Sequence, residues 1–314
     1  MRRERSLKLA SDHQPCQHEL LWGQRMALDP AQSEARALPL KHEQARLASV
    51  ESQDPRDMAT ALTPPVVPDI DRRPQRLIKL PNGLICLLIS DMDSLISAAA
   101  MTVGCGQMDD PPEVQGLAHF LEHMVFLGSD KFPREDEFAG YCVRHNGHSN
   151  AFTEMHYTTF YYELSHEGLE GSLDRFSGFF ECPTFNESCS DREMKAVDSE
   201  NSNNLQNSLM RERQLMRTTG APGHPWSMFG TGNYETLHDM PEESGVNITH
   251  HLHAFHKLHY SALNMRLAVV GHNPLDQLQE WVINFFSGIP SRPLPERTPI
   301  PSPFANADWF QFFR

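Results

Sequence analysis

Three residues in the segment Gly116-Leu-Ala-His-Phe-Leu-Glu-His-Met-Val-Phe-Leu-Gly128 have types and spacing suited to metal-assisted chemistry. At about 100° per residue, a helix here puts His119, Glu122, His123 and Phe126 on one narrow stripe. Leu117, Phe120, Leu121, Met124 and Leu127 fill the other side, and Gly128 suits the left-handed stop of a helix. Two histidines at i, i+4 have Cβ atoms about 5–6 Å apart, close enough to chelate one ion. Neutral imidazoles are good zinc ligands, and a catalytic zinc needs a third protein ligand and an open position. A carboxylate beside a water at that position can act as general base. The alternative is two surface histidines with a salt-bridging glutamate. The apolar remainder of the helix argues for burial, and polar groups buried together need a reason.

The third ligand is expected to be an acid or a histidine on another element. Ser190-Asp-Arg-Glu-Met-Lys-Ala-Val-Asp-Ser-Glu200 supplies the strongest candidate. As a helix it puts Glu193, Ala196, Val197 and Glu200 on one face, two acids framing two small apolar residues. Ser190-x-x-Glu193 also reads as a capping box, which would engage Glu193 in holding a helix start. Glu200 also reads as a solvated helix acid. The histidines at 250, 251, 253, 256 and 259 drift around a helix without a paired acid and read as structural.

These residues need elements to hold them. The 314-residue chain has room for one or two domains. It carries 41 Asp+Glu against 27 Lys+Arg, a net charge of −14, which argues against nucleic-acid and anionic-membrane partners. No run approaches the roughly 20 apolar residues of a membrane span. MRRERSLKLASDHQ lacks an apolar signal core. The expected location is cytoplasmic, with a mitochondrial address as the alternative reading of that basic start. The six cysteines form no C-x-x-C pair and are expected as reduced thiols. The sequons Asn186-Glu-Ser and Asn247-Ile-Thr are then chance matches.

Residues 1–70, rich in Gln, Arg, Ala and Pro, are expected as a low-order extension, and residues 71–314 as the domain. Arg76–Leu80, the turn Pro81-Asn-Gly and Leu84–Ser90 predict a hairpin, and Leu95–Val103 a further strand. Helices are predicted near 115–127, 135–145, 168–181, 191–217, 248–259 and 275–287. Strands are predicted around Ser149–Thr153, Tyr157–Leu164 and Asn264–Val270. Without regular βαβ alternation the fold class is α+β, with helices packed on an antiparallel sheet.

The H-x-x-E-H pattern is the inverted zincin motif, and Gly116–Ser129 resembles the active-site helix of the pitrilysin-type zinc metallopeptidases, insulysin-type members above all. Similar stretches are Asp109-Asp-Pro-Pro, Lys131-Phe-Pro, Ser149-Asn-Ala-Phe-Thr, Leu169-Glu-Gly-Ser-Leu-Asp-Arg-Phe, Ala196-Val-Asp-Ser-Glu200 and Gly223-His-Pro-Trp-Ser-Met-Phe-Gly-Thr-Gly232. The resemblance implies one Zn2+ bound by His119, His123 and Glu200, Glu122 as the base that activates water, and Glu193 as a supporting catalytic acid. It implies that Asn150, Ala151 and Phe152 bind a peptide substrate as an added strand. Without it, they read as a plain edge strand. The implied activity is endopeptidase cleavage of oligopeptides or small polypeptides. Members of this type have four related domains enclosing a chamber, so a C-terminal half or partner chain is expected to complete it. The alternatives are a domain that binds zinc and peptide with little turnover, and a mitochondrial processing subunit, against which Gly223–Gly232 speaks.

Overall fold

The structure is a computed structural model that describes residues 59–221, 223–296 and 302–303. Its centre is a seven-stranded sheet: β1 Thr60–Leu62, β2 Gln75–Lys79, β3 Ile85–Ser90, β4 Ile96–Val103, β5 His148–Thr153, β6 Thr158–Ser165 and β7 Met265–Gly271. Strand order is β1-β2-β3-β7-β4-β6-β5. All pairs are antiparallel except β3 with β7. The expected α+β fold is therefore present, with one parallel pair inside the sheet. β1 pairs with β2, so the sheet reaches into the segment expected as an extension. Residues 1–58 lie outside the described residues.

The hairpin forms as predicted, with Gly83 at φ +91° closing the turn through its N–H to the Leu80 carbonyl. β4 and β6 alternate buried and half-buried residues, the pattern of a sheet with one face against a core. The helices among the described residues are α1 Leu117–Val125, α2 Glu137–Arg144, α3 Leu169–Glu181, α4 Glu187–Asn204, α5 Ser208–Thr218, α6 Met240–Glu243, α7 Ile248–His259 and α8 Leu275–Phe286, of which α1, α2, α3 and α8 pack on the strands. Phe126, Phe138, Phe160, Phe176, Phe179 and Phe180 meet between them at centroid separations of 4.9–6.5 Å. Each fully buried ring contributes roughly 1.5–3 kcal/mol, so this cluster anchors the helix layer. Phe126 belongs to it and not to the polar stripe.

The helix expected from 191 to 217 is two helices. Asn207 Oδ1 accepts from Leu209 N at 3.0 Å and Met210 N at 3.3 Å and starts α5 anew. The preceding Asn201-Ser-Asn-Asn run has weak helix propensity. Both sequon asparagines are also caps: Asn186 Oδ1 accepts from Ser188 N at 3.1 Å, and Asn247 Oδ1 from His250 N at 2.8 Å. Cys86, Cys105, Cys142 and Cys189 are buried thiols. Among the described residues no helix is long and apolar enough to cross a membrane.

Candidate metal centre

α1 begins where Gly116, at φ +94°, turns the chain into the helix. The Asp110 side chain supports this start. Its two oxygens accept from Gly116 N at 2.8 Å and Ala118 N at 2.7 Å, and the residue is buried. These are backbone donors that a helix start leaves unpaired. Gly128 closes the segment at φ +112°. His119 is 9% exposed and Glu122 7%, so the apolar helix does bury these two, while His123 is half-buried.

His119 Nδ1 lies 2.6 Å from the Thr231 carbonyl. A carbonyl only accepts, so Nδ1 carries the proton and Nε2 is the free donor atom. That Nε2 is 3.5 Å from Glu200 Oε2, and His123 Nε2 is 3.6 Å from the same oxygen. The two imidazole centroids are 5.0 Å apart at 83°. Among the described residues, His119, His123 and Glu200 are the group whose donor atoms all lie within 4.8 Å and could hold a metal ion.

Glu193 Oε2 is 3.5 Å from His123 Nδ1. The capping box does not form. α4 starts earlier, at Glu187 under the Asn186 cap, and Ser190 lies inside the helix with its Oγ buried and unpartnered. The Glu193 carboxylate is thereby free to face His123. Glu122 Oε2 accepts from the Thr153 hydroxyl at 2.5 Å, and Thr153 Oγ1 is 3.2 Å from Thr158 Oγ1.

β5 is an edge of the sheet with alternating exposure. Asn150 and Phe152 are exposed, Phe152 at 43%, while Ala151 and Thr153 are half-buried. The period of two along a strand thus sends Thr153 to Glu122 and leaves Asn150 and Phe152 outward. Asp110, Thr153 and Thr231 carry no signal of their own in the sequence, although each lies inside a stretch similar to the pitrilysin-type enzymes.

The electrostatics are those of an acidic cluster around two imidazoles. Burial pushes the Glu122 carboxyl up, against the pull of His119, Thr153 and His123. Burial draws the His123 imidazole down, but Glu193, Glu200 and Glu122 outweigh it and lift it to about 9. His119 is raised for the same reason, with Glu200 overcoming burial. The two imidazoles hold Glu200 far below the usual carboxylate range, and His123 lowers Glu193. Three carboxylates converging on two nitrogen donors call for positive charge at their centre. A divalent cation fits that donor set.

The sequence profile "Insulinase (Peptidase family M16)" matches residues 86–223, and "Peptidase M16 inactive domain" matches residues 249–308. The chain belongs to the M16, or insulinase, peptidase family. The family's zinc proteases use zinc. The chain is 46% identical over 228 residues to insulin-degrading enzyme of Homo sapiens, covering 72% of this chain and 22% of that one. It is 46% identical over 222 residues to the A-factor-processing enzyme of Saccharomyces cerevisiae, covering 71% and 22%. The crystal structure of pitrilysin aligns with a TM-score of 0.73 at 33% identity, covering 76% of this chain and 26% of that one. The M16 chain described here therefore spans about a fifth of the length of these curated relatives.

The other histidine cluster of the M16 domain lies on α7. On α7, His256 is buried with Nε2 3.3 Å from the Phe179 carbonyl and its ring 4.6 Å from Tyr260. Burial holds its imidazole down at about 3. The unfolded chain takes up a proton below about pH 6.5 that the folded chain refuses, so stability falls as pH drops through that range. Between pH 7 and pH 5 the loss from this group is on the order of 2 kcal/mol. Denaturant unfolding at the two pH values is expected to show that much less loss in His256→Gln. An equal loss in both proteins refutes the assignment.

Proposed function

We propose that the chain is a zinc peptidase domain of insulysin type that cleaves oligopeptides or small polypeptides. The observation that carries this reading is the approach of His119 Nε2, His123 Nε2 and the Glu200 carboxylate, with the buried Glu122 beside them. His119, His123 and Glu200 would hold one Zn2+, which when bound supplies a Lewis acid. Glu122 serves as general base: its carboxylate takes a proton from the attacking water and returns it to the leaving amine. Thr153 occupies Oε2, which orients the carboxylate and leaves Oε1 for the proton. Glu193 acts as a supporting acid by fixing the His123 ring through Nδ1.

The outer edge of β5 offers its backbone groups to an extended peptide, with Asn150, Ala151 and Phe152 in the recognition strand. A C-terminal half or a partner chain would complete the enclosure around the peptide. Glu200, whose side chain is 48% exposed, leaves the centre open on one flank. That openness favours a second reading, a domain that binds zinc and peptide with little turnover. A quenched fluorescent peptide separates the two. Cleavage by the zinc-loaded chain that stops on chelation and returns with zinc supports the peptidase; binding without cleavage supports the second reading.

A further inference from the structure

The two helices that carry the donor atoms are far apart in the chain, yet one short segment grips both. Its Phe229 N–H donates to Gln115 Oε1 at 2.7 Å, just before α1. Its Thr231 carbonyl accepts a hydrogen bond from His119 Nδ1. Next to Thr231, Gly232, at φ +75°, lies against Gly116, where an added Cβ would sit 2.3 Å from the Gly232 Cα. The same segment then ties to α4: Tyr234 N–H donates to Asp198 Oδ1 at 3.1 Å, and the Tyr234 hydroxyl donates to Asp191 Oδ1 at 2.9 Å.

Asp198 precedes Glu200 by two residues, about 200° around the helix, so it turns away from the donor face toward the segment. Glu200 is half exposed, so its position follows from where α4 is held and not from packing around the carboxylate. Zinc–ligand distances are short, about 2.0–2.2 Å to nitrogen and oxygen. A small displacement of α4 relative to α1 therefore removes the third ligand.

We infer that residues 229–234 are a clamp that sets the separation of α1 and α4, and that Asp198 is a positioning residue for metal binding, acting through the Tyr234 N–H. The inference rests on the reading of His119, His123 and Glu200 as zinc ligands. Two substitutions separate the hydrogen bond from the charge. Asp198→Asn keeps an acceptor oxygen without the charge. Asp198→Glu keeps the charge but displaces the acceptor by a methylene.

Zinc affinity of the full chain, measured by competition with a chromophoric chelator, is expected to fall about ten-fold in Asp198→Glu and to stay within about three-fold of wild type in Asp198→Asn. Loss of outer support typically costs this much. Equal affinities in the two variants, or the reverse order, overturn the clamp. So does a lowered thermal midpoint of the metal-free variants without a separation of their zinc affinities, which marks a purely structural role. His119→Ala is the control on the ligand reading. A wild-type chain without zinc, or full zinc affinity in His119→Ala, removes that reading and the clamp with it; tight wild-type binding with indifferent Asp198 variants removes the clamp alone.

Discussion

Glu122→Gln is expected to lower the rate of peptide cleavage by about 10²–10⁴, the usual contribution of a positioned general base, while zinc stays bound. Glutamine preserves the shape of the side chain and an oxygen for the Thr153 hydroxyl, whose bond to Glu122 is 2.5 Å. It cannot take a proton at the other position. The environment is built for proton transfer: burial raises the Glu122 carboxyl, which makes its conjugate base stronger near neutral pH. Turnover of a quenched peptide and zinc content of the same sample check this together. A variant that cleaves at the wild-type rate places the base elsewhere. A variant that loses zinc shows that Glu122 serves the metal group and not the water.

The second large effect is on metal and stability at once. His119→Ala with His123→Ala is expected to abolish zinc binding. A ligand that binds only the folded state stabilises it by about 4 kcal/mol at a thousand times its dissociation constant, and the double variant forfeits that gain. Without metal, a smaller loss remains. The imidazoles pair with Glu193 and Glu200 in a partly buried cluster, and removing both leaves the carboxylates facing one another without a cation. The metal-free double variant is therefore expected to melt below metal-free wild type, by less than the difference measured with zinc. Thermal unfolding with zinc and with chelator gives four midpoints. A zinc-induced rise of equal size in the double variant would falsify the ligand set.

Much of the centre was legible because it depends on short-range geometry. The i, i+4 spacing of His119 and His123 and the i+3 position of Glu122 put all three on one stripe of any helix. The apolar residues around them announced its burial. The face of Glu193 and Glu200 was legible for the same reason, although Ser190-x-x-Glu193 also read as a cap. That ambiguity was real, since a capping box and a site acid share one pattern. Asn186 resolved it by starting the helix earlier, so that Ser190 never reaches a cap position. The break before α5 was hidden because asparagines are weak in helices without being absent from them.

The division follows the range of the interaction. Residue types and covalent spacing were enough for the shared stripe of His119, Glu122 and His123 on α1, the shared face of Glu193 and Glu200 on α4, the strand alternation and the α+β class, because each is a property of one element and its period. Tertiary structure alone decided that β3 and β7 run parallel, that Thr153 from the sheet edge meets Glu122, and that the Thr231 carbonyl selects the His119 tautomer. These contacts join residues 31 or more positions apart, and two of them use groups that leave no mark in a sequence. Every residue but proline has the same backbone donor, every residue has the same carbonyl, and a threonine on a strand is commonplace; only the packing of α1 between β5, α4 and the 229–234 segment gives them their partners.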